Sequence, residues 1–546
     1  MGKTWILMVT CAIMLSGMEA FACTGLLVGK KASVDGSVMI SYAADSHTLY
    51  GELYRWSAAT WPKGAMLDII EWDTHKPLGQ IPQVEQTYSV VGNMNEHQVA
   101  ITESTFGGRP ELVDTTGIMD YGSLIYVTLQ RSKTAREAIR IMTDLVKDYG
   151  YYSSGETFSI ADKNEAWVME MIGKGPGNKG AVWVAIRIPD DCISAHANQS
   201  RIQQIPFDDK ENCIYSPDVV SFAREKGYFS GRDKDFSFQK AYCPYDFSAL
   251  RGCEARVWSF FRKYDKSMDQ YMDLIKGDVM KKPMPLYVKP DRLLSVRDVQ
   301  NGMRDHFEGT DLDMTKDAGA GPYKVPYRWR PMTFEVDGQE YTNERAIATQ
   351  QTGFVIVPQM RNWLPDAVGG ILWFGVDDAD MAVFTPIYCS VTASPECYRV
   401  GNGDMMNFSW TSAFWIHNWV ANMAYHKYSY MIQDIRLVQQ ELENSYQQTI
   451  PAVDKAASEL YAKNPAEAVK FLTWFSSTTA DQATARWKKL GEYLLVKYMD
   501  GNVKKEENGH FKQNGYGLSE YPDFPGYDED YYRSIVKSAG DKLKVK

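Results

Sequence analysis

The stretch Ala20-Phe21-Ala22-Cys23-Thr24-Gly25 constrains this chain more than any other, because it reads as a place to cut and a place to begin a fold. Lys3 supplies a short positive region, and Trp5 to Met18 form a nearly uninterrupted apolar run. That run is too short to span a bilayer comfortably, and it ends in small residues with alanine at both positions a signal peptidase reads. Removal after Ala22 is therefore the expectation, and it leaves Cys23 as the first residue. Such a cysteine carries its own base, since a thiol and a free α-amine of reference pKa roughly 7.7 to 8.0 sit on one residue. Directly after it, Thr24 to Gly29 is apolar and partly β-branched, Asp35-Gly36 reads as a hairpin-type turn, and Ser37 to Tyr42 is a second β-prone run. Cys23 then heads a strand, and the cut creates the active site.

Two other readings of Cys23 stay open. It is the lipid acceptor of a lipoprotein, which would consume thiol and amine and anchor the chain; against this, Ala20 stands where such a signal usually has Leu, and Phe21 where it has a small residue. Or it is an ordinary disulfide cysteine of an exported protein. Counting argues against the second. Of eight cysteines, Cys11 leaves with the signal, and setting Cys23 aside leaves Cys192, Cys213, Cys243, Cys253, Cys389 and Cys397, an even set. Three bridges would satisfy them, with Cys243–Cys253 and Cys389–Cys397 the nearest pairs, although the connectivity is not fixed by spacing. An exported destination, periplasmic or extracellular, fits both the leader and the cysteines.

A hydrophobic share of 44% and a charged share of 23% are those of a globular protein. The net charge is −10, and no block of lysine and arginine interleaves with aromatics, so nucleic acid is not an expected partner. No second apolar stretch reaches membrane-spanning length, which leaves membrane attachment to lipidation of Cys23 alone. Strands recur at Tyr88 to Gly92, Val99 to Thr102, Glu156 to Ala161, Glu165 to Met171 and Val182 to Ile188. Between them Thr134 to Asp148 has helical spacing, with Ala135, Ala138, Ile139, Met142, Leu145 and Val146 on one face and Thr134 as cap. Helices are expected within Ala255 to Ile275, and Tyr242 to Gly252 reads as loop. Further β-prone runs are Ala346 to Thr349, Gly353 to Val357, Gly370 to Phe374 and Met381 to Pro386. Beyond Ser409 long helices take over, at Ser412 to Tyr430, Met431 to Thr449, from Asn464-Pro465, and at Asp481 to Met499, with a last one from Asp528 to Lys542. The division expected is a signal peptide over 1–22, a hydrolase domain over 23–410 and a helical region over 411–546.

Several chemistries lack their residues: there is no Gly-x-Ser-x-Gly elbow, no phosphate-binding loop ending in Lys-Ser or Lys-Thr, and no His-Glu-x-x-His. The eight histidines are scattered without metal-ligand spacing. Asp311, Asp313 and Asp317 lack the turn glycine and terminal glutamate of a calcium loop and read as a solvated loop. No metal or cofactor is expected. An N-terminal-cysteine hydrolase needs a group to hold the α-amine, donors for the tetrahedral oxyanion, and a cation nearby. Asp45, a partly exposed carboxylate closing the second strand, is placed to reach back to the terminus, or is simply a turn residue.

The run CTGLLVGKKASVDGSVMI from Cys23 resembles the start of the dipeptidase A family of N-terminal-nucleophile cysteine peptidases, to which the secernins are related. So do GNMNEHQVAITEST from Gly92, ETFSIADKNEAWVME from Glu156, RIPDDCISAHANQSRI from Arg187, RDHFEGTDLD from Arg304, QTGFVIVPQMRNWLP from Gln351, GGILWFGVDDA from Gly369 and SAFWIHNWVAN from Ser412. The resemblance implies an α+β fold, the four-layer αββα sandwich of N-terminal-nucleophile hydrolases with a mostly helical C-terminal extension, and hydrolysis of dipeptides or short peptides. It implies Cys23 as nucleophile, its amine as base, and Asp45 as the acid that orients the amine. Where the family carries an arginine before that acid, this chain has Tyr42. By resemblance to the bile-salt and penicillin V amidases, Arg256 supplies a cation and Asn198 is the active-site asparagine. Asn95, or Ser104 and Thr105, would then add the second oxyanion donor; Asn95 and Asn198 also suit strand-end turns. The alternatives to a dipeptidase are an N-acyl amide hydrolase of the bile-salt or penicillin V type, and a lipoprotein binding peptide or glycan without chemistry. Assembly into a homo-oligomer stays open.

Overall fold

A computed structural model describes residues 23–545, so the leader read over 1–22 lies outside it. The chain is of mixed α+β composition and builds two eight-stranded antiparallel sheets. The first runs Tyr287–Val288, Ile193–His196, Gly25–Val28, Val38–Ile40, Thr352–Met360, Gly370–Val376, Thr385–Tyr388, and Tyr42–Asp45 joins it by pairing with Thr352–Met360. The second runs Cys213–Tyr215, Ala181–Ile188, Ala166–Gly173, Gly155–Ala161, Ala100–Gly107, Met94–Asn95, Val90–Val91, Arg55–Trp56.

Strand alternation sorts the core. Leu27, Val38 and Ile40 of the first sheet share one cluster with Ala100, Val168 and Val184 of the second, while Leu26, Val28 and Met39 belong to another with the helices Ala255–Tyr264 and Val296–Met303. The other parity of the second sheet, Ile101, Phe158, Ile160 and Trp167, packs with the helices Tyr121–Leu129 and Ala135–Tyr149. Because both faces of these strands are covered, their sequences read as apolar runs rather than as alternating ones.

The Ala135–Tyr149 helix starts where its sequence says, with the Thr134 hydroxyl accepting from the Glu137 N–H, and it ends at Gly150, whose φ is +78°. The C-terminal segment departs in detail. Its helices are Ala413–His426, Tyr428–Lys463, Pro465–Tyr498 and Glu529–Ala539; the second is longer than its apolar spacing suggests, and the third is one continuous helix where separate ones from Asn464-Pro465 and over Asp481 to Met499 were expected. Small residues such as Ala457, Ala468, Ser476 and Ala480 continue the buried stripe, and Pro451 does not end the helix that contains it. Ala346 to Thr349 is β-prone but forms no strand; Arg345 bonds the carbonyls of Ala346 and Ile347 and draws the segment toward Asp45. The Tyr242–Gly252 loop closes into a π-helical turn, Ala249–Glu254, that feeds Ala255–Tyr264.

The cysteine expectation is corrected here. Cys192, Cys213, Cys243, Cys253, Cys389 and Cys397 are all free thiols, as is Cys23. They behave as small apolar residues, all buried except the half-buried Cys253: Cys243 touches the Gln199 amide, and Cys389 packs beside Gly370.

Candidate active site

Cys23 stands immediately before the Gly25–Val28 strand, 4% exposed, on the wall of a cavity of about 580 Å³. The strand is held on both sides, Thr24 bridging Ala43 and Gly25 facing His196 in register. Gly25 is required there, since a β-carbon on it would stand 2.6 Å from the His196 ring. That ring is clamped between Ser104 at 2.6 Å and Ser159 at 2.7 Å, and burial, followed by Arg201 and Arg256, pushes it down to a pKa of about 3. His196 is therefore a neutral spacer.

The thiol of Cys23 lies 3.5 Å from Glu103 Oε1 and 3.7 Å from the Tyr42 hydroxyl, and the Tyr42 hydroxyl donates to the same Glu103 oxygen. The backbone N–H of Asp45 also reaches the sulfur. Burial, then the charges of Glu103 and Asp45, raise the thiol well above its ordinary pKa, so at rest it is protonated. Glu103 in turn abuts Glu156, the register partner of Thr105 on the neighbouring strand, and Thr105 donates to Glu156 at 2.7 Å. Burial and the facing Glu103 hold the Glu156 carboxyl far above the carboxylate range. Two buried carboxyl groups this close share a proton, and Glu156 keeps it.

The side of Cys23 away from the thiol is cationic. Arg256, on the helix after the π-turn, donates to the Cys23 carbonyl and the Thr24 hydroxyl, both at 2.8 Å, and to Asn198 Oδ1 at 2.9 Å. Asn198, at φ +57°, passes its own N–H₂ to the Thr105 carbonyl at 2.7 Å. Ser104 accepts from the Asn198 backbone N–H. Arg256, Asn198, Ser104 and Thr105 thus form one connected network behind Cys23.

Asp45 is 1% exposed, not a partly exposed strand end as its position suggests. It pairs with Arg345 and accepts from Thr352 at 2.6 Å. Burial raises its pKa and Arg345 opposes that rise. Arg345 and Arg256 thus place positive charge beside Asp45 and behind Cys23. Asn95 is spent elsewhere: its N–H₂ holds the carbonyls of Leu129 and Ser132 at 2.8 Å each, its oxygen accepts from the N–H groups of His97 and Val99, and it does not line the cavity. The carboxylates of Asp311, Asp313 and Asp317 go to Lys276, to their own loop and to Arg328.

Sequence reasoning did not single out Glu103, Glu156, Arg345 or Thr352. Glu103 and Glu156 had a signal, since a carboxylate inside a strand covered on both faces is costly unless it has a task. Arg345 had none, lying 300 positions from the acid it binds.

The chain belongs to peptidase family C69, whose model matches residues 22–58 and 52–441. It is 27% identical over 84% of its length to a probable dipeptidase of Latilactobacillus sakei, covering 92% of that protein. It is 26% identical over 69% to a probable dipeptidase of Salmonella dublin, and 24% identical over 79% to dipeptidase A of Lactobacillus helveticus, covering 83% and 86% of them.

Proposed function

We propose that this protein is an exported cysteine dipeptidase that works through an acyl-enzyme on an N-terminal Cys23. The observation that carries the reading is the placement of the Cys23 thiol, at the head of a strand, on a substrate-sized cavity, with an anionic network on its thiol side and a cationic one on its carbonyl side. In this reading the two sheets and their helices form the four-layer αββα sandwich of N-terminal-nucleophile hydrolases over 23–410, and 411–546 is its helical extension.

The chemistry follows from the thiol being protonated at rest. Cys23 Sγ attacks the peptide carbonyl carbon while its proton passes to the α-amine freed by removal of residues 1–22. A tetrahedral oxyanion forms at that carbon, while the Asn198 network, committed to Thr105 and Arg256, holds the backbone behind Cys23. The C–N bond then breaks, the α-ammonium protonates the leaving amine, and a water activated by the same amine releases the acyl group as a free acid. Asp45, fixed by Arg345 and Thr352, orients the amine, and Arg256 holds the residue's carbonyl so that thiol and amine keep their spacing.

The test is a mass measurement and an assay on one preparation. The mature protein recovered from its native compartment should begin at an unmodified Cys23 and hydrolyse dipeptides, and Cys23→Ala should be inert but folded. A diacylglyceryl cysteine, or turnover surviving in Cys23→Ala, would overturn the reading. Cleavage of conjugated bile salts or penicillin V in place of dipeptides would assign the N-acyl amide alternative.

A further inference from the structure

We infer that the cavity in front of Cys23 is a cation site, which takes an ammonium group of the substrate between the carboxylates of Glu52 and Asp73 and the rings of Tyr54, Trp72 and Tyr126. The inference rests on the peptidase reading and adds to it the charge the substrate must carry.

The cavity wall is unbalanced in charge. Among the described residues it is lined by four carboxylates, those of Asp45, Glu52, Asp73 and Asp404, and by no lysine or arginine. Asp45 is matched by Arg345, but the other three make no ion pair among the described residues. Their partners are neutral. Glu52 accepts from the Gly401 N–H at 3.1 Å and from the Tyr54 hydroxyl, Asp73 accepts from Tyr121 at 2.8 Å, and Asp404 caps its own turn at Met406 and Asn407. His75, exposed on the rim, is the one ionisable base on the wall. Arg256 and Arg345 stand behind Cys23 and Asp45 and do not line the cavity. The field therefore runs from positive behind the nucleophile to negative in front of it.

A second, independent observation also points to a donor-bearing ligand. Asn93 lines the cavity at 2% exposure, its N–H₂ is committed to the Ile101 carbonyl at 2.9 Å, and its Oδ1 has no donor among the described residues. Around these acceptors, Trp72 lies 4.7 Å from both Tyr54 and Tyr126, at 68° and 41°, so the three rings make a corner of π faces. Carboxylates, a bare amide oxygen and ring faces together suit a primary ammonium. The group is the α-ammonium of the substrate's first residue or the side-chain ammonium of a lysine there.

Four substrates separate these sources on the mature full-length protein: norleucyl-alanine, lysyl-alanine and the N-acetyl form of each. N-acetyl-norleucyl-alanine, which has no cation, should fall about 100-fold or more in kcat/KM below the best of the others. If the α-ammonium is bound, norleucyl-alanine keeps its rate and N-acetyl-lysyl-alanine loses it; if the side chain is bound, the order reverses. Glu52→Gln and Asp73→Asn should each raise KM for the preferred cationic substrate about tenfold or more. Cleavage of N-acetyl-norleucyl-alanine as fast as the cationic substrates would overturn the cation site. Failure to cleave any of the four would instead count against the peptidase reading. The site is then decided by calorimetry of lysine amide on Cys23→Ala: binding that Glu52→Gln weakens supports it, and no binding overturns it.

Discussion

A thiol 3.5 Å from a carboxylate is held as a thiol, and that fixes what Glu103 does to Cys23. Glu103 is the largest cause after burial of the raised thiol pKa, so Glu103→Gln should lower it. The rate of iodoacetamide labelling at Cys23 would then rise at lower pH than in the wild type; an unmoved profile would mean that Glu103 does not govern the thiol. Asp45→Asn has two consequences. It should shift the acidic limb of kcat/KM to lower pH, because a lost negative charge lowers the pKa of the amine it orients. It should also cost on the order of 3 kcal/mol of stability by removing the negative charge that faces the buried Arg345 guanidinium, as read by urea unfolding. Arg345→Gln in the same chain should recover part of that loss. Gly25→Ala forces a β-carbon into the His196 ring and should destabilise by about 1–3 kcal/mol, with turnover falling because Cys23 is the next residue but one. At this scale the sequence exposed Cys23 by its leader and brought out Asp45, Arg256 and Asn198 through resemblance. It hid Arg345, whose place is set by a loop crossing from far along the chain, while Glu103 and Glu156 were marked only as costly carboxylates within covered strands.

Elements with a strong local signal were the legible ones. The Ala135–Tyr149 helix carries its cap, its apolar stripe and its closing glycine in sequence, and the strands from Gly155 to Ile188 carry β-prone runs bounded by turns. The C-terminal helices were legible only in part, because where Gly491 lies against Trp419 close approach replaces bulky apolar side chains. One buried group there gives a test. His417 stacks on Trp487, centroids 4.7 Å apart, and burial lowers its pKa to about 3. The folded state therefore refuses a proton that the unfolded chain accepts near pH 6.5, so its contribution is complete above that pH and is lost as pH falls toward 3. Relative to His417→Phe, the wild type should lose about 1.4 kcal/mol per pH unit below roughly pH 6. Urea midpoints of the two proteins at pH 8, 6 and 5 measure the difference, and parallel curves would show that His417 is not neutral in the fold.

At the scale of the whole fold, the seven free thiols among the described residues mean that an oxidant contributes nothing to this architecture. Dithiothreitol should leave the melting temperature unchanged, whereas a protein stapled by the three bridges its cysteine count suggests would lose several degrees. Retaining Ala22 should cost roughly 100- to 10,000-fold in turnover, the worth of a general base, because an amide nitrogen cannot act as one. Mass spectrometry must confirm that the extra residue remains. The strand runs were readable in sequence and the two-sheet architecture came from the family resemblance, but the pairing of Tyr42–Asp45 with Thr352–Met360 came from neither, since nothing local links strands more than 300 residues apart.

The burial of Cys23 also sets a calendar for the protein's making. At 4% exposure Cys23 lies inside the closed fold, on the wall of its cavity. A signal peptidase, which must draw an extended segment through its own cleft, has to make its cut before that face shuts. Under the proposed removal of residues 1–22, cutting comes before folding is complete, and only the cut chain gains a nucleophile with a base.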